Sequence, residues 1–300
     1  MNSHLPPAVN FHLWKTCNLN CLFCYATFND TPELRKVRGG IKEADAFRII
    51  ELLRDEGVEK LTFVGGEPTL CPYLSALLRR SRELGFVNTL VTNGFRLQRI
   101  LEEVSDYLNW VGLSVDSANE VTQAALGRGR GNHIAQSLEH FQSLHDLGIR
   151  VKLNTVVTSL NWQEDMSDFV RRVRPERWKI FQVLPIEGQN SGKVESLLIT
   201  SKQFQTFVNR HRSLIDNGIK VVAETNEDMT ESYAMIDPLG RFFSNVGGRH
   251  KYSPRSILEV GVVEAFKQIA FDQAKFEARG GDYDWGTPQI QVPLTISVRR

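Results

Sequence analysis

The sequence predicts an α/β protein: a partial (β/α)6 barrel with a C-terminal extension. Three features of the chain support this class. Six short apolar runs, the last ending at Leu184, alternate with helical patterns, the order that parallel βα units with right-handed crossovers produce. Six units fall short of the eight that close a barrel, so one side is expected to stay open. No repeat, low-complexity tract or long linker interrupts them.

Val9 to Trp14 is an apolar strand that runs directly into a cysteine-rich loop. Ala46, Ile49, Ile50 and Leu53 then recur at helical spacing, and Gly57 closes that helix. Lys60 to Val64 is a strand ending in Gly65-Gly66. A helix over Leu74 to Leu84 stops at Gly85, followed by a strand from Asn88 to Thr92, a helix from Leu97 to Leu108 and a strand from Trp110 to Val115. Ile134 to Leu147 is helical, Arg150 to Val157 is strongly β, and Asp165 to Val173 is a helix that must end near Pro175. Arg177 to Leu184 is the sixth strand. Phe204 to Ile215 adds a helix, and Ser232 to Asn245 reads as a strand pair around the turn Asp237-Pro238-Leu239-Gly240. On this reading residues 1–195 form the barrel core and 196–285 an extension closing the site. Residues 286–300, with weak periodicity, form a mobile tail.

Composition narrows the function classes. Thirty-six Lys and Arg against 35 Asp and Glu give a net charge of +1, which argues against a general binder of nucleic acid or membrane surfaces. No window approaches the 18 or so uninterrupted apolar residues of a spanning helix, and Met1 to Val9 lacks a signal-peptide core. The expected location is the cytoplasm. Of the four cysteines, three lie within eight residues and Cys71 stands apart. That clustering suits a thiolate-ligated metal in a reducing compartment better than disulfides. Cys71 reads as a small buried hydrophobe, and the seven histidines show no metal-ligand spacing.

Cys17, Cys21 and Cys24 have the spacing C-x3-C-x2-C. Three thiolates on a four-iron cubane leave one iron open to chelate a small molecule. A structural zinc ion is the competing reading and needs a fourth donor, for which His12 is available. The next strand ends in Gly65-Gly66-Glu67-Pro68, where glycines permit close backbone approach to a ligand and Glu67 offers a carboxylate to a cation.

Strand parity adds an independent signal. Val151, Leu153 and Thr155 share one face, and Lys152, Asn154 and Val156 share the other. Parallel strands covered by helices are apolar on both faces, so Lys152 and Asn154 break the pattern. Trp178, Ile180 and Gln182 likewise oppose Arg177, Lys179 and Phe181, and Leu61 and Phe63 oppose Lys60 and Thr62. With the apolar sets against outer helices, Lys60, Lys152, Arg177 and Lys179 point inward. Unpaired charges there cost several kcal/mol each by desolvation, a cost that a bound triphosphate would offset.

The cysteine loop followed by Gly-Gly-Glu-Pro resembles the radical S-adenosylmethionine superfamily. With Ser114-Val115-Asp116-Ser117, Leu126-Gly127-Arg128-Gly129, Asn154-Thr155-Val156, Arg177 to Gln182, Ile186 to Gly192, Ser232-Tyr233, Ser256 to Gly261 and Gly280 to Trp285, the chain resembles the viperin family from about Val9 to Trp285. The resemblance implies that Cys17, Cys21 and Cys24 hold a [4Fe–4S] cluster whose open iron binds S-adenosylmethionine. It places Phe23, Gly65, Gly66, Glu67, Ser114 and Arg128 around that cofactor, with Phe23 next to the adenine. It assigns nucleotide binding to Lys60, Lys152, Asn154, Arg177 and Lys179, and late return of a hydrogen atom or proton to Tyr233. The implied reaction removes the 4′-hydrogen of CTP, UTP or GTP by a 5′-deoxyadenosyl radical and expels the 3′-hydroxyl. The product is a chain-terminating antiviral 3′-deoxy-3′,4′-didehydro nucleotide. A flavodoxin- or ferredoxin-type electron donor and a monomeric enzyme are expected with it.

Two departures stand out. Val64 replaces a serine found in many relatives, which removes one contact to S-adenosylmethionine, and the membrane-anchoring amphipathic helix of animal viperins is not seen. A radical enzyme that modifies peptide or RNA is the nearer alternative, disfavoured because no cysteine for an auxiliary cluster follows Cys71. A zinc-stabilised binding module is the alternative of a different class.

Overall fold

A computed structural model describes residues 5–129 and 131–286. All its strands join one ten-stranded sheet in the order β10-β9-β8-β1-β2-β3-β4-β5-β6-β7. The six expected strands are β1 (Ala8–Trp14), β2 (Lys60–Gly65), β3 (Val87–Thr92), β4 (Trp110–Ser114), β5 (Arg150–Val157) and β6 (Arg177–Gln182). Each is parallel to the next. The extension widens this sheet at both ends. β7 (Lys220–Glu224) adds parallel to β6. At the other end β8 (Met235–Ile236) runs parallel to β1, and β9 (Phe242–Val246) and β10 (Arg249–Tyr252) follow as antiparallel strands. The expected strand pair across Asp237 to Gly240 is β8–β9.

Several of the helices carry the apolar periodicity read from the sequence. In chain order the helices begin with α1 (Pro32–Lys36), α2 (Glu43–Asp55), α3 (Leu74–Glu83), α4 (Leu97–Val104), α5 (Glu120–Ala125) and α6 (His133–Asp146). Next come α7 (Ser167–Val173), α8 (Ser201–Arg210) and α9 (Asn226–Met229), then α10 (Ile257–Val260), α11 (Val262–Phe266) and α12 (Gln273–Ala278). Ala46, Ile49, Ile50 and Leu53 of α2 are buried against Val9, Phe11, Leu13, Leu61 and Phe63 in the main core. The same core takes Val151, Leu153, Trp178 and Ile180. The opposite residues of those strands line an interior cavity, so the alternation inferred from the sequence sets the two faces of the sheet. Two expected helices are shorter than read, because their last turns tighten into 3₁₀ geometry at Ser105–Tyr107 and Arg212–Asn217. The tail assigned to 286–300 lies, beyond Gly286, outside the described residues.

Candidate active site

The interior faces of the strands enclose a cavity of about 300 Å³. Its two ends differ. The C-terminal ends of the strands carry the cysteine loop, Gly65, Gly66, Glu67 and Arg128, while the N-terminal ends carry Lys60, Lys152 and Arg177. Lys60 and Gly65 are five residues apart on β2, about 16 Å at the rise of a parallel strand.

At the upper end, Cys17, Cys21 and Cys24 all line the cavity and also line a second concavity that Gly66, Lys15, Arg38 and Lys193 complete. Cys17 is exposed, and its Sγ accepts from the Leu19 amide at 3.4 Å. Burial raises all three thiol pKa values, that of Cys24 to about 12, and the neighbouring cysteines add to the shift of Cys24. Thiols of this kind give up their protons to a metal and otherwise keep them. Among the described residues no three His, Cys, Asp or Glu side chains close on one ion position. Three thiols spread around a shared space fit a cluster that takes one thiolate per iron, not a zinc ion needing four donors about 2.3 Å away.

The packing of the chain itself also requires glycine at Gly65 and Gly66. A Cβ at Gly65 would lie 2.2 Å from the Trp14 carbonyl oxygen, and one at Gly66 2.2 Å from that of Lys15. The close approach is made by the chain's own backbone as β1 enters the cysteine loop. Gly127, at φ +82°, serves the same loop: a Cβ there would meet the Asn20 carbonyl oxygen at 2.3 Å. The backbone bond from Leu22 N–H to Leu126 O, 3.1 Å, ties the two loops together.

Among the described residues Glu67 meets no cation. Its carboxylate accepts from Thr69 N–H (3.1 Å), Thr69 Oγ1 (2.7 Å), Thr92 Oγ1 (2.6 Å) and Asn93 N–H (2.8 Å). Burial raises its pKa against the pull of these donors. Its visible role is to lock the end of β2 to the end of β3. Arg128 donates from Nε to the buried Asp116 carboxylate and lies over the Phe23 ring at 5.5 Å. Burial opposes its charge, but Asp116 reverses that and raises the pKa. Ser114 ends β4, lines the cavity and accepts through its carbonyl from His133. Val64 lines the cavity without a polar group.

At the lower end, strand register aligns Lys152 with Arg177 and Asn154 with Lys179. Lys60 donates to the Tyr283 hydroxyl at 2.9 Å, and Lys152 donates to the same oxygen. Arg177 lies 4.1 Å over the Tyr283 ring and donates to Gly280 O at 2.7 Å. Lys179 donates to Tyr233 Oη at 2.7 Å and pairs with Glu224 at 2.6 Å. Burial, and after it the neighbouring cations Lys179, Arg177 and Arg279, lower the Lys60 pKa to about 7. Burial lowers Lys179 to about 8 despite Glu224, and lowers Lys152 and Arg177 as well. Asn154 lines the same wall. Tyr233 donates to Glu224 and lies 3.6 Å beneath the Arg279 guanidinium. Burial raises its pKa well above 10, with Glu224 adding and Arg279 opposing.

Sequence reasoning gave no role to Glu224, Arg279, Tyr283 or Asp116. Glu224 ends β7, a strand that went unread because its five residues, KVVAE, show too little alternation. Asp116, two residues past the end of β4, lies in a segment matched by resemblance alone. Cys71 is buried in the main core, as expected. No helix among the described residues is long and apolar enough to cross a membrane.

The sequence model of the Radical SAM superfamily matches residues 12–172. A protein of Flammeovirga pacifica named S-adenosylmethionine-dependent nucleotide dehydratase is 43% identical, covering 94% of this chain and 97% of its own. The chain belongs to that family. A like-named protein of Lacinutrix mariniflava is 39% identical over 95% of this chain, which spans 60% of that protein. Streptococcus suis SuiB bound to S-adenosylmethionine aligns with TM-score 0.68 at 16% identity, over 93% of this chain and 68% of its own, a likeness of fold alone. Membership makes the chain a radical enzyme whose cofactors are a [4Fe–4S] cluster and S-adenosylmethionine, and the thiols of the cysteine loop fit the first.

Proposed function

We propose that this enzyme dehydrates a nucleoside triphosphate, CTP, UTP or GTP, to its 3′-deoxy-3′,4′-didehydro form. The carrying observation is the charge at the lower end of the cavity. Lys60, Lys152, Arg177, Lys179 and Arg279 converge there, and Glu224 pairs with Lys179 and Arg279. A triphosphate matches that excess, and its binding would restore the charge that burial suppresses on the lysines.

The bound cluster and S-adenosylmethionine supply the 5′-deoxyadenosyl radical. The protein's part is placement. Lys60, Lys152, Arg177 and Lys179, with Asn154, hold the nucleotide so that its C4′ faces upward. Cys17, Cys21 and Cys24 hold the cluster. Phe23, Ser114 and Arg128 flank S-adenosylmethionine, Arg128 offering terminal nitrogens that Asp116 leaves free. Gly65, Gly66 and Glu67 fix the strand end beside it. Tyr233, whose raised pKa keeps its O–H, stands as the late donor of a hydrogen atom or proton. Residues 196–285 close the nucleotide end through Tyr233, Arg279 and Tyr283. A flavodoxin- or ferredoxin-type protein supplies the electron, and the setting is the cytoplasm.

The test is 5′-deoxyadenosine formed per minute by the reconstituted enzyme with and without each triphosphate. A triphosphate should stimulate it, and deuterium placed at C4′ should appear in the 5′-deoxyadenosine. Without stimulation by any triphosphate, or without deuterium transfer, the dehydratase reading fails while the radical-enzyme assignment stands.

A further inference from the structure

The cavity wall formed by β1, β8 and β9 differs from the others. Ala8, Asn10 and His12 of β1, Met235 of β8 and Asn245 of β9 line it, and among the described residues these strands bring no Lys, Arg, Asp or Glu to the lining. The lower cations stand on β2, β5 and β6 instead. This wall is nonetheless polar and unsatisfied. His12, 1% exposed, has no hydrogen-bond partner at either ring nitrogen, and Asn245, 5% exposed, has none at Oδ1. The two flank Phe243: the His12 ring meets its edge at 5.3 Å, and Asn245 lies two residues on along the same face of β9. His250, paired with Asn245 across the sheet, carries a further orphan nitrogen, Nε2, outside the lining.

Orphan polar atoms also occur away from the cavity, at Gln123 and Gln268, so burial without a partner does not by itself make a site. His12 and Asn245 differ in lining a space where a ligand can supply what the fold withholds, and an unmade buried hydrogen bond costs about 1–3 kcal/mol. Thr89 Oγ1, across the barrel on β3, is the other such atom on the lining among the described residues. Burial, with His250 adding to it for His12, lowers the pKa of both histidines to about 3. Each ring is therefore neutral and offers one N–H and one acceptor, and the Asn245 amide offers both as well. Ala26 and Met235 add apolar surface to the lining. An anion finds no cation on this wall, whereas a flat heteroaromatic ring with donors and acceptors on its edge finds both surface and partners. The height agrees. Register aligns Asn10 with Thr62 and His12 with Val64, about 7 and 13 Å above Lys60 at the rise of a parallel strand. A nucleotide whose phosphates rest on the cations holds its sugar, and with it the base, above them.

We propose that this wall reads the nucleobase of the substrate, with His12 and Asn245 hydrogen-bonding the edge of the base. The assignment rests on the dehydratase reading and adds to it the part of the protein that tells one base from another. Buried groups paired by one base are left unpaired by another, which is how a hydrogen-bonding pocket discriminates.

Titration calorimetry on the reconstituted holoenzyme gives dissociation constants for CTP, UTP, GTP and inorganic triphosphate, the last carrying phosphates without a base. Wild type should prefer one base. His12→Phe, which keeps a ring, and Asn245→Leu should each weaken binding of the preferred nucleotide at least about tenfold. Each should narrow the spread among the three nucleotides and leave inorganic triphosphate unchanged. His12→Gln, which retains a donor and an acceptor, should recover part of the preference. Asn245→Leu decides the matter if His12→Phe does not fold. A wild type indifferent to the base overturns the proposal, as does an unchanged spread in the variants. Equal weakening of all three nucleotides, the mark of a sugar contact, overturns it too, and so does equal weakening of inorganic triphosphate. Loss of S-adenosylmethionine affinity in His12→Phe would assign the ring to the cofactor and overturn it as well. A wild type that binds no nucleoside triphosphate at all overturns the dehydratase reading itself.

Discussion

The two ends of the cavity solve opposite problems. At the upper end every charged group has its counterpart within the protein: Glu67 has four donors and Arg128 has Asp116. At the lower end the lysines lean on aromatic rings, two phenols and one carboxylate, and Lys60 falls to a pKa of about 7. The upper end is a finished frame awaiting a neutral or zwitterionic guest. The lower end stores unsatisfied charge, and stored charge is how a fold advertises an anionic ligand.

The largest effects should separate the ends outright. Cys17→Ala, Cys21→Ala or Cys24→Ala should abolish the absorbance near 400 nm and all cleavage of S-adenosylmethionine, because each thiolate holds one iron. Cys71→Ala should retain both, since Cys71 belongs to the apolar core. Iron content and the visible spectrum of anaerobically purified protein decide this.

The next effect is confined to the lower end. Arg177→Lys should raise the dissociation constant of the triphosphate about ten- to a hundredfold, equivalent to roughly 1.5–3 kcal/mol, because a lysine cannot reproduce the planar fork of a guanidinium. Binding of S-adenosylmethionine, measured by calorimetry on the same sample, should be unchanged. Weakening of both ligands would show that the two ends are not independent.

A smaller effect follows from the lysines' pKa values. Lys60 near 7 and Lys179 near 8 are partly neutral in the free enzyme at pH 8. A bound triphosphate favours their charged forms, so binding takes up protons at pH values above these. The dissociation constant should therefore rise with pH between about 7 and 9, by at most tenfold per pH unit for each lysine. Lys60→Met should flatten the profile. Stability of the nucleotide-free protein should move the other way. The unfolded chain holds more protons on these lysines than the native one, so ΔG of unfolding rises with pH through this window.

How well each end could be read from the sequence reflects how it is assembled. The cluster ligands lie within eight residues, where spacing alone carries the chemistry. Lys152 and Lys179 were legible because a parallel strand buried on both faces has no reason to carry inward cations. Their partners were not legible. Tyr283 reaches Lys60 across 223 residues, and a tyrosine after two glycines carries no local sign of where it packs. The backbone constraint on Gly65 and Gly66 was not legible for a related reason. A sequence shows that a Cβ is absent but not what would have collided with it, which here is the backbone of Trp14 and Lys15. β7 was missed because a five-residue strand between a turn and a capped helix has too little alternation to register.

The smallest effect would sharpen the contrast most. The Tyr283 hydroxyl takes hydrogen bonds from Lys60 and Lys152, the two cations at the floor of the cavity, while its ring lies over Arg177. Tyr283→Phe keeps the ring and removes the oxygen. The free protein then loses hydrogen bonds to charged donors and should be less stable by about 1 kcal/mol. If the phosphates take the lysines over from Tyr283, the wild type must break those bonds to bind and the variant need not. The variant should then bind the triphosphate about fivefold more tightly, which is the same 1 kcal/mol returned on binding. Unchanged or weaker binding would mean that the phenol stays in the cradle beside the phosphates. In that case the lower end is as preassembled as the upper, and its stored charge is shared between two partners instead of passing from one to the other.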